Sequence, residues 1–313
     1  MRDESLPYND YGVAMRRRFG GRVQKLSIDA AMSCPNRDGR VARGGCTFCL
    51  NEAFSPAYCR ESSSITEQIV RGIEFHDNRG RTAESYIAYF QAGTNTNAPV
   101  DELEGLWREA LADPRVSGMI VGTRPDCISS EILDLLVDLS ACKYIAVEYG
   151  IESTYDTTLE HVNRGHCFLD AERAVACTRG RGLDVGAHFI LGLPYESREQ
   201  IIAQMERINA LGLNSIKFHQ LQIYRSTHMA REWAEYPERF ALRDYTAEDY
   251  VDLMVDIIRR LDPSVAIERF ASQAPRHLLV GSMLGGIKLD RLRAMIVARM
   301  RELGAVQGDM ATK

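Results

Sequence analysis

Cys34-Pro-Asn-Arg-Asp-Gly-Arg-Val-Ala-Arg-Gly-Gly-Cys46-Thr-Phe-Cys49 gathers three of the chain's eight cysteines into one Gly- and Arg-rich stretch. Eleven residues separate the first two cysteines and two separate the last two. Thiolates are soft ligands. The chain opens Met-Arg-Asp-Glu-Ser, with no charged segment followed by an apolar run, so the cluster points to a metal site rather than to disulfides. Three thiolates are one short of closing a four-cysteine zinc site or of ligating every corner of a 4Fe–4S cube. If only three bind, one iron is left open to an exogenous ligand. The competing reading is zinc with Cys59 as fourth thiolate, but zinc ribbons use two close cysteine pairs and only Cys46 and Cys49 form one. Cys59, Cys127, Cys142, Cys167 and Cys177 are scattered and read as ordinary small side chains.

Outward from this loop the chain alternates. Residues 23–30 read as the strand that delivers the chain into it. Further strands are expected over 85–92, 116–121, 144–149, 184–191 and 215–224. Helices are expected over 64–78, 100–112, 130–141, 155–163, 169–179 and 198–210. Six strand–helix repeats with short connections predict a parallel sheet with helices outside it. Polar or Gly-containing clusters follow the strands, at the edge where strand–helix barrels assemble their chemistry. A Rossmann-type sheet is the competing topology, but no Gly-x-Gly-x-x-Gly follows a strand. Beyond 224 the pattern changes, with a helix over 246–261, one more strand over 265–270 and a closing helix over 290–303. Residues 225–244 read as an irregular excursion, and 307–313 as a frayed tail.

A chain of 313 residues, 45% hydrophobic, can bury a sizeable core. Its net charge of −5 argues against a general binder of polyanions. Basic residues nevertheless cluster at Arg16, Arg17 and Arg18, at Arg22 and Lys25, and through Arg37, Arg40 and Arg43 in the cysteine loop. Such runs are usually solvated faces; the neighbouring cysteines keep a functional reading open. No apolar stretch approaches a membrane span, and a reducing cytoplasm is the expected location.

Cys34-x11-Cys46-x2-Cys49, with Phe48 before the last cysteine, resembles the cluster motif of radical S-adenosylmethionine (SAM) enzymes. The long first gap resembles the YhcC/YtqA-type branch, related to the radical SAM domain of the Elongator catalytic subunit. Tyr89-Phe-Gln-Ala-Gly-Thr-Asn-Thr96, Gly122-Thr-Arg-Pro-Asp126, Glu148-Tyr-Gly-Ile-Glu-Ser153, Val162-Asn-Arg-Gly-His166 and His188-Phe-Ile-Leu-Gly-Leu-Pro194 carry the likeness over most of the chain. The resemblance implies a partial (β/α)6 TIM-type barrel over 1–224 and a C-terminal α/β extension over 225–313. It also implies a 4Fe–4S cluster on Cys34, Cys46 and Cys49, SAM on the open iron, and reductive cleavage of SAM to a 5′-deoxyadenosyl radical.

For the SAM pocket, many relatives place a Gly-Gly-Glu where this chain has Ala92-Gly93-Thr94-Asn95. The resemblance therefore leaves the SAM ammonium group to backbone carbonyls with Thr94 or Asn95. It assigns Arg164 to the SAM carboxylate, Glu152 and Ser153 to the ribose, and Gly192 to Pro194 to the adenine. His188 stands where relatives carry an aspartate, facing SAM or the substrate. Arg124, Lys217, His219, Arg225 and Arg269, near strand ends, would suit an anionic substrate or an RNA backbone. The resemblance suggests a tRNA wobble uridine as substrate and a flavodoxin- or ferredoxin-like reductant as partner. A small anionic metabolite is the alternative substrate, since no separate RNA-binding domain or acetyl-CoA machinery is visible. A non-catalytic iron–sulfur adaptor is the reading from another class, which the SAM-pocket residues disfavour.

Overall fold

The computed structural model describes residues 5–50, 55–62, 64–280 and 283–311. Seven strands, β1 (Val23–Ile28), β2 (Ser85–Phe90), β3 (Val116–Thr123), β4 (Tyr144–Glu152), β5 (Asp184–Leu191), β6 (Ser215–Gln220) and β7 (Ala266–Arg269), pair in that order. Every pairing is parallel, and the sheet curls into half a barrel. Spatial order follows chain order because each right-handed crossover lays the next strand beside the last. The expected strand over 265–270 is β7, and it extends this same sheet.

The helices are α1 (Tyr11–Phe19), α2 (Pro35–Asp38), α3 (Ala57–Arg60), α4 (Ile65–Asp77), α5 (Val100–Ala112), α6 (Ser130–Ser140), α7 (Asp156–His161), α8 (Phe168–Gly180), α9 (Arg198–Leu211), α10 (His228–Glu235), α11 (Ala247–Arg260) and α12 (Leu289–Glu302). Their starts follow capping chemistry. The hydroxyls of Ser64, Ser129, Ser197 and Thr246 accept from Glu67 N, Ile132 N, Gln200 N and Asp249 N. Each such cap contributes about 1 kcal/mol. Among the described residues no helix is long and apolar enough to cross a membrane.

The strands bury both faces. On β2, Tyr86, Ala88 and Phe90 join the main core with Leu103 and Trp107 of α5. The alternate residues Ile87 and Tyr89 turn inward, as a period of two requires, and meet Met15 of α1. α1 thus plugs the barrel at the N-terminal ends of the strands, where Phe19 packs edge-on against Tyr144 and Arg18 pairs with Asp184 at 2.7 Å. The plug leaves the opposite, C-terminal end open for a site.

The structure departs from the sequence reading in three places. α1 was hidden because its stripe of Tyr11, Met15 and Phe19 is narrow, only Met15 of it is fully buried, and Arg16, Arg17 and Arg18 interrupt it. α10 replaces part of the irregular excursion: Thr227 caps it, and Met229 fills a small cluster with Val162, Leu193, Leu221, Ile223 and Phe240. The tail is anchored rather than frayed at Gln307. That side chain is 2% exposed, donates to Asp262 O at 2.7 Å and Val265 O at 2.9 Å, and accepts from Asn9 N at 2.7 Å. Residues 312 and 313 lie outside the described residues.

Candidate active site

The cysteine loop leaves β1 and folds on itself. Cys34 caps the single turn of α2, with Pro35 pre-set for the first helical position and Cys34 O accepting from Arg37 N at 2.7 Å. The return needs glycine twice: Gly44 and Gly45 both have positive φ, and a Cβ on Gly45 would stand 2.9 Å from the Arg37 side chain. Cys49 N then donates to Cys46 O at 3.0 Å, turning the last two thiols toward the same side as Cys34.

The turn after α7 clasps this loop. Asn163 Nδ2 donates to Gly45 O at 2.8 Å, and Asn36 Nδ2 returns a bond to Asn163 O at 2.5 Å. Gly165 lets Asn36 approach, since a Cβ there would stand 2.6 Å from Asn36 Oδ1. Arg164 reaches the loop's centre: Nη1 lies 3.6 Å from Cys46 Sγ, and Nη2 donates to Gly150 O and lies 3.5 Å from Glu152 Oε1. Burial works against its charge, but the Cys46 sulfur and the Glu152 carboxylate outweigh it and hold its pKa above the ordinary value. Burial pushes the Cys49 thiol up, with Cys46 adding to the shift and Arg37 and Arg164 opposing it.

These residues line a cavity of about 620 Å³ at the C-terminal ends of the strands. Cys34, Cys46, Cys49, Gly93, Thr94, Glu152, Arg164 and His188 all face it. Gly93 has a φ of 77° and passes so close to Met32 O that a Cβ would sit 2.3 Å from it. Asn95 lies just behind, 1% exposed, with Nδ2 on Gly122 O at 2.8 Å and Oδ1 without a partner among the described residues. Four expected pocket residues do not line the cavity: Asn95, Ser153, Gly192 and Pro194. The Ser153 hydroxyl is taken up by Glu196 Oε1 at 2.5 Å, and Gly192 packs against Leu242. Arg225 is likewise absent from the lining and bonds His277 O at 3.2 Å.

Glu196 is 1% exposed, and burial raises its pKa to about 7 against 4.5 for a free glutamate. The folded chain therefore keeps a proton that the unfolded chain loses above about pH 4.5, and that contribution disappears as pH rises through about 7. Glu196→Gln cannot ionise. Its melting stability relative to wild type is expected to improve by about 2 kcal/mol between pH 5 and pH 8. A constant difference across that range in scanning calorimetry would contradict the shift.

At the cavity floor Glu148 and Lys217, which line it, join the half-buried Lys25 and Glu268 in a ring of four charges that no local pattern announced as a unit. Lys25 of β1 bonds Glu148 Oε1 at 2.9 Å and Glu268 Oε2 at 2.6 Å. Lys217 of β6 bonds Glu148 Oε2 at 2.6 Å and Glu268 Oε1 at 3.2 Å, and donates to Tyr89 Oη at 3.0 Å. His188 Nε2 stands 3.0 Å from Glu148 Oε2. Burial alone would raise the Glu148 pKa, but Lys217 and Lys25 hold it well below the ordinary carboxylate range. Lys25 is held well above its ordinary value: burial opposes the charge, and Glu148 with Glu268 wins. Lys25, Tyr89, Glu148 and Glu268 are the functional-site residues the sequence reading gave no role. The inward half of the strand alternation was the available signal.

Residues 38–208 match the family model described as Radical SAM superfamily, and 213–302 match the Radical_SAM C-terminal domain. The chain belongs to the radical SAM superfamily. Radical SAM enzymes bind a 4Fe–4S cluster and SAM. The chain is 36% identical over 290 residues to Protein YhcC of Escherichia coli (strain K12), covering 90% of this chain and 91% of that one. It is 25% identical over 199 residues to Elongator complex protein 3 of Saccharomyces cerevisiae, covering 63% of this chain and 34% of that protein. Among solved structures, the archaeal Methanocaldococcus infernus Elp3 with an N-terminal deletion superposes with a TM-score of 0.69 at 16% identity. That match covers 91% of this chain and 64% of that one, and it shows the shared radical SAM fold.

The residues present fit the superfamily's groups. Asn36 Oδ1, Thr47 Oγ1, Arg124 Nη1 and Arg164 Nε are buried around the loop without a partner among the described residues, although buried polar atoms are normally paired. Cys46 Sγ accepts from Asn36 Nδ2 at 3.5 Å and from Arg164 Nη1 at 3.6 Å. Among the described residues no three His, Cys, Asp or Glu side chains converge on a point that one metal ion would occupy. The cysteines of a cube each meet a different iron, so they need not converge. Cys59, the fourth ligand of the zinc reading, donates instead to Ser27 O at 3.1 Å, and burial pushes its thiol up to about 11.

Proposed function

We propose that this chain is a radical SAM enzyme that modifies the side chain of a tRNA wobble uridine. The observation that carries the enzymatic part is the joint lining of one cavity by Cys34, Cys46 and Cys49 and by the buried Arg164. When bound, the cluster and SAM supply a 5′-deoxyadenosyl radical, which removes a hydrogen that acid–base chemistry cannot reach.

The chain's own groups do the rest. Cys34, Cys46 and Cys49 hold the cluster, and Asn36 and Arg164 stabilise the Cys46 sulfur. The Arg164 guanidinium pairs with the SAM carboxylate, Gly93 and Thr94 present acceptors to its ammonium group, and Glu152 takes ribose hydroxyls. The α1 plug and the charged ring close the floor of the cavity. Arg164→Lys keeps the charge and loses the planar fork. SAM binding by that variant, measured by equilibrium dialysis, is expected to weaken about tenfold or more. Unchanged binding would remove Arg164 from the SAM site.

The likeness to Elongator complex protein 3 supports tRNA as the substrate class. The chain spans 34% of that protein's length, which supports the second reading, a small anionic metabolite. The deciding measurement is the modified-nucleoside profile of tRNA from a strain lacking this protein, read by mass spectrometry. Loss of one wobble uridine modification, restored by the wild-type chain and not by Cys46→Ala, is the expected result; an unchanged profile would overturn tRNA as the substrate.

A further inference from the structure

The cavity's charges can be followed to their partners, and most are held by an opposite charge or a carbonyl. In the ring of Lys25, Glu148, Lys217 and Glu268, each carboxylate oxygen meets a lysine and the sum of charges is zero. All three protons of Lys217 have acceptors, in Glu148, Glu268 and Tyr89. Arg124 is locked two-pronged to Asp126 at 2.9 and 2.8 Å, and Arg37 is held on Cys49 O at 2.9 Å. Arg164 is engaged with Cys46, Gly150 and Glu152.

Arg269 is the exception. It lines the cavity, is exposed, and its guanidinium has no hydrogen bond or ion pair with any described residue. Its position comes from an irregularity in the sheet. Ile216 pairs with Ile267, but the next pair is Lys217 with Arg269, so Glu268 is the extra residue of a bulge. A regular strand would send Glu268 and Arg269 to opposite faces. Here Glu268 reaches the lysine ring while Arg269 still borders the cavity.

His219, two residues after Lys217, stands beside it. Its ring lies 5.2 Å from that of His188, and its Nε2 is buried with no partner among the described residues. Burial first, then His188, Arg269 and Lys217, drives its pKa well below the ordinary histidine value. A guanidinium without a counter-ion beside an unpaired imidazole nitrogen is the inverse of an oxyanion.

We propose that Arg269 and His219 form an oxyanion subsite on the β6–β7 wall, which holds a phosphate or carboxylate group of the substrate. The proposal rests on the reading of this cavity as the substrate site, and it gives the substrate a negative charge beside the atom that reacts. In it the guanidinium fork meets two oxygens while His219 Nε2–H donates to one of them. The charged ring serves as a neutral floor that keeps Lys25 and Lys217 from competing for the anion.

The test is calorimetric titration of the anaerobically reconstituted, SAM-loaded protein with inorganic phosphate, acetate, uridine 5′-monophosphate and uridine. One anion per chain is expected to bind, and uridine to bind more weakly than its monophosphate. Arg269→Gln, which removes no described contact, should weaken anion binding about tenfold or more, and His219→Gln should weaken it as well. Tighter phosphate than acetate assigns the group as a phosphate, and the reverse as a carboxylate. Equal binding by wild type and Arg269→Gln, or no binding of either anion, overturns the subsite. Release of 5′-deoxyadenosine by the wild type, assayed separately, tells the two failures apart. Release without anion binding sinks the subsite alone, whereas anion binding without release sinks the enzymatic reading.

Discussion

Cys34→Ala, Cys46→Ala and Cys49→Ala proteins, reconstituted without oxygen, are each expected to lose the brown chromophore and essentially all release of 5′-deoxyadenosine from SAM and dithionite. The reason is stoichiometric. A cube held at three corners has no fourth protein thiolate in reserve. Cys59 is held on Ser27 O with its thiol pushed up to about 11, so it is not poised to substitute. Cys127 faces the same region, yet burial pushes its thiol up to about 12, with Asp126 adding to the shift. Cys142 and Cys177 are exposed and far along the chain, so Cys142→Ser and Cys177→Ser should keep iron content and product release at wild-type levels. Full iron loading in any of the first three variants would dismantle the site as described.

The second large effect belongs to stability. Glu148→Gln leaves Lys25 and Lys217 facing one carboxylate where there were two, at a position 3% exposed. Removing one partner from a buried ion cluster costs about 3–5 kcal/mol, because the remaining charge stays desolvated. With about 2–4 °C lost per kcal/mol in a chain of this size class, a fall in melting temperature of about 10 °C is expected. Lys25→Met/Glu148→Leu should cost less than the two single changes summed, since the pair fails together. The pH response follows from the depressed Glu148 pKa. Its contribution is present above the free-glutamate pKa of 4.5 and fades as pH falls through the folded value, so wild type and variant should converge in acid. A loss comparable to an exposed pair, under about 1 kcal/mol, would show that the ring is solvated.

The strand–helix alternation and the cysteine spacing were legible from the chain because both are local. Helix 64–78 emerges as Ile65–Asp77 and helix 198–210 as Arg198–Leu211, since a hydroxyl cap and a 3.6-residue stripe lie within a single window. Where the local signal was thin, the reading slipped. α1 spans nine residues and α10 eight, and their stripes of Tyr11, Met15 and Phe19 and of Met229, Ala230 and Trp233 are too short to stand out in a window of sequence. Ser153 follows Glu152 directly, and a sequence cannot say which of two neighbours faces the cavity. The left-handed backbone at Glu152, with φ 73°, directs that side chain toward Arg164, while Ser153 turns to Glu196.

The parallel strand–helix alternation and the three-thiol loop follow from the chain alone, because hydrophobic period and ligand spacing are written within a few residues. What only the tertiary structure decided is which distant side chains share one space. Lys25 and Glu268 are 243 positions apart and bond at 2.6 Å. That contact exists because the sheet curls, because strand register sets which residues face inward, and because one bulge between β6 and β7 shifts the alternation by a residue. Register and curl are properties of packed neighbours, and no single stretch of chain contains them.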